Sequence, residues 1–444
     1  MPITTSVASI SKNGLQGNSP YVDPTTYYNY YSSFMTNLGD LNGGKRTFVQ
    51  KNTLYQIMRS TNTNIDSYTA PLNQAIVKID DTGNVTPVIT DVPQDYPLNR
   101  MVVDSSGNYH LLFDNTPTNA SPQQFILRKY DSSGTLVTSK SFTNSTATNR
   151  GINNAIGFEI DSSDNMYVYN KTGHFTKINS SYNIVNNLYY GSFGTSCKLI
   201  GFNNGIGYIM IPFNGPQVRI MALSSTGTVL WNKTYSGVVT LNDGVLLGSW
   251  LYLIADNGQL MRVATSTGNV GYGYSFSTGG EYITATSYGN LLIAGAIGTP
   301  SSAVIFPVNP NSPTTFIGYP VEYTFSSSPY YDSFNNGILS TTNNCYLTGR
   351  LLQTVGTTTA TNTFLKLPMY GNLSIASTGI SYTLKGFNYS GTLSSTVLPS
   401  PTITGLAITA TSAIVTPTTP TSATGTPTIS TSSVTVYNYN QQIV

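Results

Sequence analysis

The side chains most suited to chemistry are few and scattered. There are two histidines, His110 and His174, two cysteines, Cys197 and Cys345, and eighteen acidic residues. Each histidine sits in or beside a stretch that reads as a strand. Neither has a Cys, His or carboxylate neighbour at a spacing that could hold zinc, so both read as structural and no metal site is expected. The cysteines lie far apart, which excludes a disulfide framework and suggests two buried thiols. The turns DDTGN, DSSGN and DSSDN carry aspartates, but they lack the alternating third and fifth ligands and the distal Glu of a calcium loop. Neither a G-x-S-x-G nor a P-loop is present. A glycosidase carboxylate pair would be assembled from distant segments, and no spacing singles one out. Sequons such as those at Asn144 and Asn232 are expected by chance in a chain this rich in Asn, Ser and Thr. No catalytic residue and no cofactor are predicted.

The Asp turns make better sense as parts of a repeat. LRKYDSSGTLVTSKSF (127–142) alternates in polarity, turns at DSSG and alternates again, which is the pattern of a β-hairpin. Asp or Ser at the first turn position accepts a backbone N–H two residues on, and Gly or Asn takes the left-handed position. Turns of this kind fall at Gly83, Gly134, Tyr182, Gly227, Gly268, Ser312 and Gly371, in steps of 41 to 59 residues. A second, more apolar hairpin class falls between them, at 47–58, 101–113, 158–169, 199–211, 244–255, 283–295 and 337–349. Propeller blades recur at roughly 40 to 50 residues. The expected fold is all-β: a seven-bladed β-propeller over 41–378, with each blade completed locally by four antiparallel strands. The apolar hairpins supply the two inner strands of each blade. The class carrying Lys, Arg and Tyr supplies the two outer ones. ALSSTGTVLWNKTY (222–235) resembles a repeat of quinoprotein-type propellers, and VVDSSGNYHLLFD (102–114) resembles an NHL-type repeat.

Two segments flank the repeats. Residues 1–40 are polar and then Tyr-rich, without helical periodicity, and read as an extended N-terminal arm. Residues 379–444 read as a Thr/Ser/Pro-rich β appendage. After Lys385 no Asp, Glu, Lys or Arg occurs, and TITGLAITAT and TISTSSVTVYNY alternate as strands do. The appendage is expected to pair with another chain or with the propeller rim.

Charged residues make up 9% of the chain, against roughly 25% in an average soluble protein. The net charge is +2 and no basic stripe stands out, which argues against a nucleic-acid partner. The first twenty residues show no basic or apolar leader region, and no apolar run is long enough to span a bilayer. No leader, very low charge, an Asn/Thr/Tyr-rich propeller and an uncharged β tail together resemble phage virion proteins. That resemblance implies a non-enzymatic structural protein attached to capsid or tail through its terminal arms. It would serve as adhesin or decoration in an oligomeric assembly, after assembly in the host cytoplasm. Other virion proteins, and a glycan or protein of the host surface, would be its partners. An exported cell-surface binding protein and a tail-borne polysaccharide lyase or hydrolase are the alternatives.

Loop length picks out one sector. The segments 60–74, 115–124 and 354–363 are long, and all belong to blades one, two and seven, which a closed ring makes neighbours. The connection 318–336 falls in the same sector and carries Tyr319, Tyr323, Phe325, Tyr330, Tyr331 and Phe334. Exposed rings on long loops suit stacking on sugars or burial against a protein, so these six residues form the candidate binding face.

Overall fold

The computed structural model describes the strands below and the tight turns between them. Residues 1–29, 34–46, 62–71, 116–123, 144–154, 354–359, 368–379, 413–427 and 431–444, with shorter stretches elsewhere, fall outside the described residues. The elements are strands throughout. β1 (Tyr30–Ser33) precedes blade 1, which contains β2 (Thr47–Gln50), β3 (Thr53–Thr61), β4 (Leu72–Ile79) and β5 (Val85–Val92). Blade 2 contains β6 (Leu98–Val103), β7 (Tyr109–Asn115), β8 (Gln124–Tyr130) and β9 (Leu136–Thr143). Blade 3 contains β10 (Ala155–Ile160), β11 (Met166–Asn170), β12 (His174–Ile178) and β13 (Ile184–Tyr189). Blade 4 contains β14 (Lys198–Asn203), β15 (Ile206–Pro212), β16 (Gln217–Leu223) and β17 (Val229–Ser236). Blade 5 contains β18 (Leu241–Leu247), β19 (Trp250–Ala255), β20 (Gln259–Ala264) and β21 (Val270–Phe276). Blade 6 contains β22 (Tyr282–Ala285), β23 (Leu291–Ala296), β24 (Ser302–Val308) and β25 (Val321–Ser326). Then come β26 (Tyr330–Ser340), β27 (Cys345–Gln353) and β28 (Ala360–Leu367). The C-terminal strands are β29 (Ile380–Leu384), β30 (Tyr389–Val397), β31 (Ile403–Gly405), β32 (Thr409–Ser412) and β33 (Thr428–Ser430).

These strands pair into a β-propeller, with one correction to the expected plan. Six sheets, blades 1 to 6, are each built on four consecutive strands, where seven such blades were expected. The remaining sheet is mixed: β26, β27 and β28 are consecutive, but their outer neighbour is β1, from more than three hundred residues earlier in the chain. The expected seventh outer turn, at Gly371, lies outside the described residues, as does Gly83. Pairing of β28 with β1 leaves no edge on β28 for a local fourth strand.

The reason for the repeat lies in how the blades stack. The second strand of a blade is covered on both faces by its neighbours, so it reads as a continuous apolar run. MYVYN of β11 is buried at every position. The outermost strand is only half covered: IVNNLY of β13 is intermediate or exposed throughout. One core cluster lies between each successive pair of blades. Met101 and Leu111 meet Tyr55 and Ile76 between blades 1 and 2, and Ile220 and Tyr235 meet Leu253 and Val263 between blades 4 and 5. Tyr346 of the mixed sheet packs on Leu54 of blade 1, and on its other side Ser340 hydroxyl donates to the carbonyl of Ala285 in blade 6.

Candidate interaction surface

The densest polar cluster joins blades 2 and 3. Asp104, in the turn after β6, accepts backbone N–H groups from Ser106 at 3.0 Å and Asn108 at 2.8 Å. His110 Nε2 lies 3.1 Å from Asp104 Oδ2, and His110 Nδ1 lies 2.6 Å from the Tyr182 hydroxyl. With Asp104 ionised, Nε2–H donates to the carboxylate and Nδ1 accepts from Tyr182. Lys129 Nζ stands 3.3 Å from the same carboxylate. Burial works to raise the Asp104 carboxyl, but the bonds from Asn108 and His110 outweigh it and hold the group well below the usual carboxylate range. Burial holds His110 below its ordinary value, with Asp104 partly offsetting it. Asp104 and His110 are 4% and 2% exposed, so a substrate has no access, and the cluster is an inter-blade latch. His174 is likewise buried, which lowers it to about 4. Among the described residues no group of three His, Cys, Asp or Glu side chains could hold a metal ion. Burial pushes the Cys197 thiol up to about 12 and the Cys345 thiol higher. Both cysteines are buried and neither is in a disulfide, as the sequence suggested.

The outer hairpin turns reach across blades in the same way. Lys140 Nζ donates to the Ser181 carbonyl, Asn186 Nδ2 to the Thr226 carbonyl, and Lys233 Nζ to Asn269 Oδ1. Tyr190 donates to the carbonyl of Gly227. That glycine has φ of +81°, and a Cβ there would fall 2.4 Å from Leu188 Cδ1. The recurring S-x-G turn therefore satisfies two demands at once, a left-handed backbone and a close seat on the preceding blade.

The outer rim is where the terminal segments act. β30 pairs antiparallel with β25, from Val321↔Val397 to Ser326↔Thr392, and β29 pairs in turn with β30. β31 adds to β21 on blade 5, β32 to β17 on blade 4 and β33 to β9 on blade 2. The chain thus runs backward round the rim, 6, 5, 4 and 2, adding an outer strand to each blade. The alternation and lack of charge in this region pointed to strands; the edges they join had no signal in the sequence, because backbone pairing is indifferent to side-chain identity. β1 and β29 to β33, from either side of the expected repeat region 41–378, contribute strands to these sheets.

The expected binding face is placed differently from the sequence reading. Tyr323 and Phe325 lie on β25, Tyr323 opposite Ala303 of β24 and Ser395 of β30, and Phe325 opposite Leu393 of β30. Tyr330, Tyr331 and Phe334 lie on β26, with Tyr330 opposite Gln353 and Tyr331 opposite Leu352. The stretch 318–336 is therefore mainly two strands, not a long loop. The period-two spacing of Tyr323 and Phe325 was a strand signal. Tyr319 lies outside the described residues, as do the central parts of the long segments 60–74 and 115–124 and the first part of 354–363.

No family model matches the chain, quinoprotein-type and NHL-type propellers included, and no curated protein matches it. Among solved structures the chain is similar to the WD40 β-propeller domain of Doa1, at 14% identity over 76% of this chain and 97% of that one, with a TM-score of 0.41. It is also similar to the C-terminal WD40 domain of Sif2, at 9% identity over 79% of this chain and 100% of that one, with a TM-score of 0.42. The fold rests on the strand pairings, and nothing about activity or partners follows from these likenesses.

Proposed function

We propose that this chain is a non-enzymatic structural protein of a phage virion, a propeller held to capsid or tail through its terminal segments and serving as adhesin or decoration. One observation carries the reading: a tail without a single charge after Lys385 associates by adding strands to sheet edges. Strand addition needs only an open edge and an uncharged, extended partner, which is a common way of joining subunits. In this reading β26, β27, β28 and β1 form a seventh blade that closes the ring, and β1 ties the N-terminus to it. The sector of the segments 60–74, 115–124 and 354–363 faces away from the attachment site, with the aromatic residues 319–334 beside it, towards a glycan or protein of the host.

Truncation after Lys385 tests the attachment. The shortened chain is expected to fold as a propeller and to be missing from particles; normal incorporation contradicts the reading. Replacing Tyr330 and Tyr331 together by Ala tests the recognition face. Adsorption of particles should fall several-fold while melting changes little, since one stacked ring contributes about 1 kcal/mol. Unchanged adsorption with a large drop in melting temperature would assign both rings to the core.

A further inference from the structure

Blade 3 departs from its neighbours at its outer turn. Where blades 2, 4 and 5 place Gly134, Gly227 and Gly268 in the left-handed conformation, blade 3 places Tyr182, at φ +63°. That region is rare for a bulky residue and carries strain. The contact between blades is reversed with it. Tyr190 of blade 3 donates to the Gly227 carbonyl and Tyr235 of blade 4 to the Gly268 carbonyl, so in those seams a tyrosine reaches forward to a glycine turn. Between blades 2 and 3 the turn itself carries the tyrosine, and its ring reaches back into blade 2. It stacks on the His110 ring with centroids 5.7 Å apart. Tyr182 is 3% exposed, whereas Ser180, Ser181 and Asn183 around it are exposed. Among the described residues His110 Nδ1 is the one hydrogen-bond partner of the Tyr182 hydroxyl. On the exposed side Lys140 Nζ adds a 3.3 Å bond to the Ser181 carbonyl.

We propose that Tyr182 and His110 form an acid-released clasp, which lets the turn 179–183 lift from blade 2 in mild acid while the rest of the propeller stays closed. The imidazole serves Tyr182 as an acceptor, because its other nitrogen donates to Asp104. A second proton on the ring turns Nδ1 into a donor. The Tyr182 hydroxyl then faces an N–H, and its own hydrogen has no other acceptor among the described residues. The surroundings do not favour the added charge. Lys129, Lys51 and Lys140 stand around the seam with Asp104 and Asp164, three cations to two carboxylates. Burial holds His110 in the closed seam below its ordinary value, with Asp104 partly offsetting it. A lifted turn frees the imidazole to titrate near the ordinary 6.5, so each step down in pH below that favours the lifted form. The same movement relieves the strained backbone of Tyr182. Asp104 keeps its bonds from Ser106 and Asn108, which lie in its own hairpin. The next two seams lack such a group: their bonds run from Ser, Asn, Tyr, Trp and Lys to carbonyls and carboxamides, which do not titrate in mild acid. His174 stacks on Tyr189 at the opposite end of its hairpin from this turn. The inference is independent of the virion assignment.

Hydrogen exchange of the full chain at pH 7.5 and at pH 5, expressed as protection relative to unstructured amides at the same pH, tests it. The amides of Asn179 and Tyr182 are bonded within their turn, and those of Gly134 and Gly227 within the matching turns of blades 2 and 4. Protection over 179–183 should fall by about threefold to thirtyfold at pH 5, while that over 131–135 and 224–228 holds. His110→Gln has no proton to gain and should abolish the fall, whereas His174→Gln should keep it. The absence of a selective fall in the parent chain overturns the proposal, as does a fall shared equally by the three turns. A fall that survives in His110→Gln, or is lost in His174→Gln, overturns it as well. Should His110→Gln fail to fold, the imidazole resonance of His110 in the parent chain decides: it should titrate with the same midpoint as the loss of protection, and a separate midpoint contradicts the clasp.

Discussion

The inner hairpins and the outer rim of this propeller are stabilised in different ways. Near the axis each blade is completed by neighbours in sequence, and side chains join the blades. Lys51 donates to the Asp104 carbonyl, Ser105 Oγ donates to Asp164 Oδ2 at 2.5 Å, and Ser162 Oγ to Asn204 Oδ1 at 3.0 Å, which links the inner turns of blades 1 to 4 in order. On the rim the joining strands come from far along the chain and pair through backbone groups. The inner region depends on residue identity at many positions. The rim depends on the absence of charge and on register, so it constrains residue identity less.

The share of packing between blades is exposed by the same substitution at two turn glycines, one seated against the neighbouring blade and one not. Gly227→Ala adds a Cβ at φ +81° that meets Leu188, Tyr190 and Phe175. It should cost about 2–4 kcal/mol from backbone strain and overpacking together. Gly107→Ala has a similar φ, +84°, but only Ser132 Cβ lies near, at 3.9 Å. It should cost about 1 kcal/mol. Denaturant unfolding of both variants measures the gap, and equal losses would mean that inter-blade packing is not what selects Gly227.

Acidity gives the next largest effect, and it acts on the inner latch. His110 and His174 are held below their ordinary values by burial, His174 at about 4. Between those values and the ordinary one near 6.5 the unfolded chain binds more protons, so stability falls as pH drops through this window. Asp104 is depressed, so its contribution is present above about pH 4 and is lost below it. Melting temperature should therefore decline from pH 6.5 to 4 and decline further below 4. His174→Gln should remove one histidine's share of the upper slope; a slope that does not change would show that His174 titrates alike in both states. Tyr182→Phe deletes the bond to His110 Nδ1 and should cost about 1 kcal/mol at neutral pH, as measured by denaturant unfolding.

The hairpin turns were the legible features. The hairpin turns at Gly134, Tyr182, Gly227, Gly268 and Ser312 stand where the spacing put them, because Asx-type turns and left-handed glycines are written locally. His110 and His174 were read as structural, but the partner Tyr182 could not be named, since blade stacking brings it to His110, whereas Asp104 lies in the same hairpin as His110 and Tyr189 stands opposite His174 within blade 3. The outer strand of the mixed sheet was missed because YYSS of β1 carries nothing that names β28 as its edge. The 318–336 stretch was misread for a related reason: an aromatic-rich run with turn residues between its halves looks like a loop until β25 and β26 find their partners.

The smallest effect expected is at the thiols. Cys197 and Cys345 are buried with raised values, so a thiol reagent should label neither in the native protein at neutral pH, and both on unfolding. Native labelling at Cys345 would show the mixed sheet opening, and would set it apart from the inner core.

The claim that the C-terminal segment clasps its own rim is most directly tested by a reporter disulfide at a register pair. Ser236 on β17 stands opposite Thr409 on β32. A chain carrying Ser236→Cys and Thr409→Cys, oxidised at high dilution and digested, should yield one cross-linked peptide from within a single molecule, because opposed positions in a sheet fall within disulfide reach. Ser236→Cys paired with Ser412→Cys, out of register, should yield none. Equal cross-linking by the two pairs, or a bond formed only between molecules, would contradict the account.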